Sequence, residues 1–197
     1  MTDLVLVPLL RATASGLNDA LTAVLDGDRE TARRVLRTST SRRRAGVAAH
    51  VASTARLRAA HGRPVAERLD DAALVTSIRG LGNLADQLAR TVIRTGGLPV
   101  PTASERHHLE VLRDASRRRL EQLEGAPLPG PSRDPAYRSC GLQLREVAYL
   151  GGSRCTPILV LCSAIASTLL HASARASRPE PTAALDSRSA SPWSRAG

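Results

Sequence analysis

Three side chains in the second half of the sequence have the types and spacing of a metal site. His107, Glu110 and Asp114 follow one another at intervals of three and four, so on a helix they share one face. Imidazole and carboxylate groups together bind divalent metals. The alternative is a solvated face on which arginines pair with the acids, and we favour it. The neighbouring arginines are Arg106, Arg113, Arg117 and Arg118.

A glycine-rich run has the form of a dinucleotide-binding fingerprint. Residues 80–85 read G-L-G-N-L-A, which matches G-x-G-x-x-A. That motif works only where a strand precedes it and the glycines form a turn. Here the glycines lie inside a helical pattern, so we expect no nucleotide site. Small residues in a helix instead allow a neighbouring helix to approach closely.

Two runs of three arginines are the candidate partner-facing residues. They are Arg42, Arg43 and Arg44, and Arg117, Arg118 and Arg119. The chain carries a formal net charge of +10 and contains no lysine. Arginine clusters can follow a phosphate backbone or form a charged, solvated helix face. No helix-turn-helix or zinc-finger spacing accompanies them, and aromatic residues make up only 2% of the chain, so nucleic-acid binding is the less favoured reading.

The sequence shows no catalytic motif. It lacks a G-x-S-x-G elbow, an H-E-x-x-H pair and a P-loop, and its five histidines are scattered. We therefore predict a protein that is not an enzyme, with no catalytic residue and no cofactor.

The cysteines indicate a reducing compartment. Cys140, Cys155 and Cys162 are odd in number and form no C-x-x-C pair, which is typical of reduced thiols rather than a disulfide framework. The N-terminal apolar run has no basic segment before it and makes a poor signal peptide. We expect a cytoplasmic protein.

The clearest helical pattern runs from Leu74 to Arg94. We expect Asp70 or Asp71 to cap this helix and Gly96-Gly97 to end it. Its apolar residues recur at alternating intervals of four and three, which places them on one stripe. They are Leu74, Ile78, Leu81, Ala85, Leu88 and Val92.

Helices are also predicted on the N-terminal side of this stretch. One covers residues 3–25, Gly27 ends it and Asp28 caps the next. The next covers 29–60 and can kink in its polar middle, from Thr38 to Arg44. Its inward-facing residues are predicted to be Ala32, Val35, Leu36, Val47, Val51 and Ala55.

Three more helices are predicted after residue 97. Thr102 and Glu105 form a T-x-x-E capping box that opens a helix ending near 124. A shorter helix covers 137–150, and a further helix covers 154–175. The uncharged run Cys155–Ala174 fits either a membrane anchor or a central helix buried on all sides.

Taken together, the chain reads as an all-α antiparallel helical bundle, with two successive three-helix units. The first unit spans 1–97 and the second 98–176. Residues 177–197 are rich in Ser, Pro, Arg and Ala and are predicted to be a disordered tail.

Three segments resemble the PhoU-type family, the regulators of bacterial phosphate uptake and phosphate sensing. GLGNLADQLARTV resembles the signature helix of that family, and LNDALTAVLDGDRETARRVL resembles its first interhelical turn. PVAERLDDAALVTSIRGLGNLAD resembles the stretch that leads into the signature helix. The resemblance covers about residues 10–95, and the second half is similar only in its three-helix layout.

The resemblance implies a metal cluster built on Glu, three residues and Asp. Asp86 matches the Asp, but Gly82 stands where the Glu is expected. The corresponding helix in the second half, 154–175, carries no acid at all. We therefore expect no family-like metal cluster, and Asp86 is a weak metal candidate like His107, Glu110 and Asp114.

The resemblance implies a non-catalytic regulator that contacts a phosphate transporter or sensor kinase component through an arginine-rich face. A homodimer is compatible with the sequence. The alternatives are a basic helical protein associated with nucleic acid, with strongly salt-dependent binding, and a small membrane-anchored protein using 155–174.

Overall fold

The computed structural model of this chain describes residues 3–59, 65–95, 101–125 and 156–176. These residues pack as a bundle of α-helices and include no β-strand, which confirms the predicted fold class. The helices are α1 (Asp3–Asp26), α2 (Arg29–Arg37), α3 (Ser39–Arg58), α4 (Val65–Arg94), α5 (Ala103–Gly125) and α6 (Thr156–Ala176).

The turn between α1 and α2 is built as the sequence predicts. Gly27 has φ 65°, a left-handed conformation that favours glycine, and it ends α1. The Asp28 carboxylate then accepts hydrogen bonds from the backbone N–H groups of Glu30 and Thr31, at 2.8 and 3.3 Å. These bonds satisfy donors that the first turn of α2 leaves without a helical partner.

The predicted long helix over 29–60 is two helices. Thr38 lies between α2 and α3, inside the polar region where a kink was expected. Its hydroxyl donates to the carbonyl oxygen of Val35 at 3.0 Å, a local bond that competes with regular helical pairing.

The inward face of α3 differs from the prediction. Arg42, Gly46, Ala49 and Ser53 are buried, at helical spacings of four, three and four. Val47 and Val51 are 55% and 61% exposed, and Ala55 is exposed as well, so their predicted inward orientation is wrong. The buried positions are mostly small residues, which let α3 approach α1 and α4 closely.

The long helix α4 is the centre of the bundle and contacts α1, α2, α3 and α6. Its predicted stripe is confirmed, since Ile78, Leu81, Ala85, Leu88 and Val92 are almost completely buried. Leu74, at the edge of that stripe, is partly buried and packs against the core.

The predicted start of α4 is wrong. The helix begins at Val65, so Asp70 and Asp71 lie more than one turn inside it rather than at its cap. The apolar stripe that fixed the predicted start begins only at Leu74. The turns upstream of it are polar yet helical.

The capping box at the start of α5 is confirmed. The backbone N–H of Thr102 donates to Glu105 Oε2 at 2.7 Å, and the N–H of Glu105 donates to Thr102 Oγ1 at 3.3 Å. Leu109, Leu112 and Leu120 are buried, and α5 contacts α1 and α6.

Helix α6 buries one face against α4 and leaves another in solvent. Ile158, Cys162, Ile165, Ala166 and Leu169 are buried, whereas Pro157, Val160 and Ser167 are exposed. The prediction of a helix buried on all sides is therefore wrong. Within the described ranges, no helix combines the length and apolar character that crossing a bilayer requires.

The described helices share one hydrophobic core, to which α1 to α6 all contribute buried residues. The division into units at 97/98 stays a prediction. The predicted helix 137–150, the cysteines Cys140 and Cys155 and the predicted tail 177–197 lie outside the described residues.

Candidate functional site

A buried arginine on α3 is the starting point of the candidate site. The Arg42 guanidinium donates from Nη2 to Asp86 Oδ1 on α4, and both side chains are almost fully buried, at 5% and 3% exposure. Nη2 also donates to the carbonyl oxygen of Val35 at 2.7 Å, and Nη1 donates to Thr38 Oγ1 at 2.6 Å. The arginine therefore joins α3, the end of α2 and the centre of α4.

Gly16 on α1 makes room for this guanidinium. A Cβ atom at position 16 would lie 2.6 Å from Arg42 Nη1 and 2.8 Å from its Cζ. Any larger residue would push the guanidinium away from its acceptors. The buried ion pair therefore depends on a third helix that supplies space rather than a bond.

Asp86 is the residue that matches the aspartate of the PhoU-type motif. Its Oδ1 accepts from Arg42, and its Oδ2 lies 3.6 Å from Nη2 of the exposed Arg43. Both carboxylate oxygens thus face guanidinium groups. Among the described residues, no three His, Cys, Asp or Glu side chains come together as a metal-binding group.

The ion pair forms one wall of an open cleft between α1, α3 and α4, with a volume of about 230 Å³. Pockets that hold drug-sized ligands are larger, typically about 300–1,000 Å³, so this cleft suits a small ligand. The lining residues are Leu9, Thr13, Arg42, Arg43, Gly46, Val47, Arg79, Gly82, Asn83 and Asp86.

Several polar groups around the cleft have no partner in the described residues. Thr13 is completely buried, and its hydroxyl makes no hydrogen bond. The Nε of Arg42 is also buried without an acceptor. Buried polar groups are paired in most proteins, so each exception calls for an explanation.

The rim of the cleft adds a further cation. Arg79 on α4 forms no hydrogen bond or ion pair with the described residues, and its aliphatic part packs over Gly46 on α3. A Cβ atom at position 46 would lie 3.1 Å from Arg79 Cγ. The absence of a side chain at Gly46 thus lets Arg79 lie against α3 beside the cleft.

The two glycines of the rejected fingerprint lie at helix contacts. A Cβ atom at Gly80 would lie 3.9 Å from Thr168 Cγ2 on α6, and one at Gly82 would lie 3.8 Å from Thr13 Oγ1 on α1. Both sit inside the helix α4 rather than in a turn after a strand. Both glycines lie at helix contacts, but an added Cβ would make only an ordinary van der Waals contact, so the approach of α6 and α1 does not depend on the missing side chains.

The arginine runs divide between surface and interior. Arg43, Arg44, Arg117 and Arg118 are exposed, but Arg42 and Arg119 are buried. The prediction that Arg42 and Arg119 face a partner is wrong. In any run of three residues on an amphipathic helix, one readily falls on the buried face, since the helix advances about 100° per residue.

The candidates on α5 lie on its polar side. His107 is exposed, and its ring meets that of His108 edge to face with centroids 5.8 Å apart. Arg106 Nε lies 3.1 Å from Glu110 Oε1, and Arg113 Nε lies 3.2 Å from Asp114 Oδ1. Both acids are thus paired with arginines, as in the favoured reading of a solvated face.

Thr13 and Arg79 were not predicted from the sequence, although the spacing around Arg79 contains a signal. Arg79, Gly82 and Asp86 recur at intervals of three and four, and so do Arg42, Gly46 and Ala49. Two helical stripes that combine glycine with single charges predict a close, polar contact between helices.

Comparison with known proteins identifies no relative of this chain. The chain matches no protein-family model, no curated protein and no solved structure. The similarity to PhoU-type regulators therefore rests on the sequence segments alone.

Proposed function

We propose that this chain is a non-catalytic, cytoplasmic regulatory protein that acts by contacting a partner protein in the control of phosphate uptake or phosphate sensing. The phosphate context is supported by the three sequence segments that resemble the PhoU-type family. The mode of action is supported by one surface, the solvent-facing side of α3, and by the lack of any catalytic motif in the sequence.

The α3 outer face consists of Arg44, Val47, Val51, Ala55 and Arg58, which are all exposed. Their spacings of three, four, four and three place them on one line along the helix. At a rise of 1.5 Å per residue this line is about 21 Å long. Isolated exposed valines need no explanation, but an apolar line with a cation at each end is typical of a docking surface.

The charge of this face favours a partner helix that carries both apolar and acidic residues. Its apolar side chains would cover Val47, Val51 and Ala55, and its carboxylates would pair with Arg44 and Arg58. An amphipathic helix laid along another helix face is a common recognition mode, and arginines favour binding to carboxylates. By resemblance, this helix belongs to a phosphate transporter or sensor kinase component.

The test uses a double variant that leaves the cleft intact. Arg44→Glu with Val51→Glu changes two exposed residues that do not line the cleft. Surface changes of this kind usually alter the free energy of unfolding by less than about 0.5 kcal/mol each. Wild-type and variant proteins serve as bait in phosphate-starved cells, and captured proteins are identified by mass spectrometry.

We expect the wild-type bait to enrich a phosphate transporter or sensor kinase component, and the double variant to lose it. The matched control, Arg90→Glu with Val160→Glu, makes the same charge change on the exposed sides of α4 and α6 and keeps the partner. Recovery of no such component, or equal recovery with the α3 double variant, rejects the proposal.

A further inference from the structure

We propose that the cleft between α1, α3 and α4 is a binding site for a small divalent oxyanion of the phosphate class, either free or as the phosphoryl group of a small monoester. Thr13 and Arg79 are the residues that would contact it. The proposal stands on the geometry of the cleft, which shares only Val47 with the α3 outer face.

The polar groups left open around the cleft can all donate hydrogen bonds, and Arg79 can only donate. The buried hydroxyl of Thr13 makes no bond, and Arg79 carries five N–H donors with no acceptor among the described residues. Arg43 on the rim shares its guanidinium with Asp86 only at 3.6 Å. A ligand that completes such a site must supply acceptors, and an oxyanion has acceptors on every side.

The charge of the cleft also favours an anionic ligand. Three arginines and one aspartate line it, so its formal net charge is +2. Asp86 is already opposed by Arg42 on one oxygen and Arg43 on the other. Arg79 is left as a cation without a counter-ion in the described residues, beside an open space of about 230 Å³.

The Thr13 hydroxyl lies at the floor of the cleft, next to Gly82. Gly82 lines the cleft, and the Thr13 Oγ1 lies 3.8 Å from the position a Cβ atom would take at Gly82. No side chain at position 82 therefore separates the buried hydroxyl from the floor of the cleft. Because 3.8 Å is an ordinary van der Waals distance, an alanine side chain at position 82 would fit without a clash.

The binding test is isothermal titration calorimetry on the full chain at constant ionic strength, set with chloride. Inorganic phosphate, sulfate, glycerol phosphate and acetate are titrated in turn. We expect one saturable site per chain for phosphate and sulfate, and binding of acetate at least tenfold weaker. Tighter binding of glycerol phosphate than of phosphate would identify a phosphate monoester as the ligand. Absence of saturable binding by all of the divalent anions overturns the proposal.

Two variants separate binding from folding. Thr13→Val removes an unpartnered hydroxyl and keeps the shape of the side chain, so we expect it to preserve the unfolding midpoint. Gly82→Ala adds a methyl group above the hydroxyl and replaces a helical glycine, so we expect it to raise the midpoint. Both variants should weaken phosphate binding at least tenfold.

Gly80→Ala is the matched control. It makes the same change two residues away in α4, against Thr168 rather than Thr13, and Gly80 does not line the cleft. We expect Gly80→Ala to raise the unfolding midpoint and to leave phosphate affinity unchanged. Equal affinity in Gly82→Ala and Gly80→Ala rejects this site, and Arg79→Gln provides the same test from the rim with an expected tenfold loss.

Discussion

At the scale of single residues, the buried ion pair of Arg42 and Asp86 is the contact whose disruption we expect to be costly to stability. Removing two charges from water is costly, and their attraction offsets that cost only where good geometry and further hydrogen bonds are present. Here Arg42 also bonds to the Val35 carbonyl and to Thr38. Apart from Arg42 Nε, which has no acceptor, the guanidinium is therefore hydrogen-bonded, whereas either charge alone in the same place would be destabilising.

We predict that Asp86→Asn lowers the free energy of unfolding by about 3 kcal/mol, because it leaves the buried Arg42 without a counter-charge. The double variant Arg42→Met with Asp86→Leu should lose much less than the sum of its single changes. A double-mutant cycle by urea denaturation measures this coupling. Single effects that simply add would contradict the prediction.

A second prediction concerns Gly16. Replacing a helical glycine with alanine normally stabilises a helix by about 0.5–1 kcal/mol. At Gly16 the new methyl group would meet Arg42 Nη1 at 2.6 Å and displace a guanidinium that has three acceptors. We expect Gly16→Ala to lower stability by about 1–3 kcal/mol through the lost charged hydrogen bonds. An unfolding midpoint as high as that of Gly80→Ala would contradict this assignment.

At the scale of elements, the N-terminal cap of α2 makes the stability of that helix depend on pH. The hydroxyl of Thr31 donates to Asp28 at 2.6 Å, and this bond is the main cause that lowers the pKa of the Asp28 carboxyl. The backbone N–H groups of Thr31 and Glu30 lower it further. A carboxyl with a lowered folded-state pKa contributes stability above its unfolded pKa and loses that contribution as pH falls.

We therefore predict that the first turn of α2 weakens in acid below about pH 4, the unfolded range of an aspartate. Asp28→Asn keeps an N-cap acceptor but does not titrate. The difference in unfolding free energy between wild type and Asp28→Asn should favour wild type near neutrality and shrink as the pH falls. Denaturation series at several pH values measure it, and a difference that is constant with pH would contradict the prediction.

The elements also show what sequence patterns can and cannot predict. The α4 stripe, the Asp28 cap and the Thr102–Glu105 capping box were predictable because each depends on residues within a few turns of one helix. The inward face of α3 was not, because the burial of Arg42 depends on Asp86, 44 residues away. Hydrophobicity alone favours Val47 and Val51 as core residues, but the contact with α4 selects the small and charged face instead.

The candidate site was predictable only in part for the same reason. Asp86 was singled out through a motif, and Arg42 through its cluster, but no local pattern joins them. Thr13 comes from a third helix, where it looks like one more position on an apolar stripe. Its unpartnered hydroxyl is visible only once α1, α3 and α4 are packed together.

At the scale of the whole molecule, one core connects the helices of both predicted units. Leu21 on α1 and Ile165 on α6 are both fully buried in that core, and α6 packs on α4. A shared core favours one cooperative unfolding transition, whereas two independent units would give two.

We predict that Leu21→Ala and Ile165→Ala each lower the stability of the same transition by about 2–5 kcal/mol, the usual cost of a large cavity. Thermal unfolding followed by circular dichroism and by calorimetry should give one midpoint that moves in both variants. Two resolved transitions, each sensitive to only one substitution, would contradict the shared core and support separate units.

The small residues between α3 and α4 have a consequence for register. Gly46, Ala49 and Ser53 have small side chains or none, so the shape of this face does little to fix the axial position of α3, except where Arg79 packs over Gly46. A displacement by one helical turn, about 5.4 Å, would separate the guanidinium of Arg42 from Asp86 and leave both charges without their partner. One ion pair therefore distinguishes the correct axial position of α3 from its nearest competitors, a discrimination that the aliphatic side chains around it are too uniform to provide.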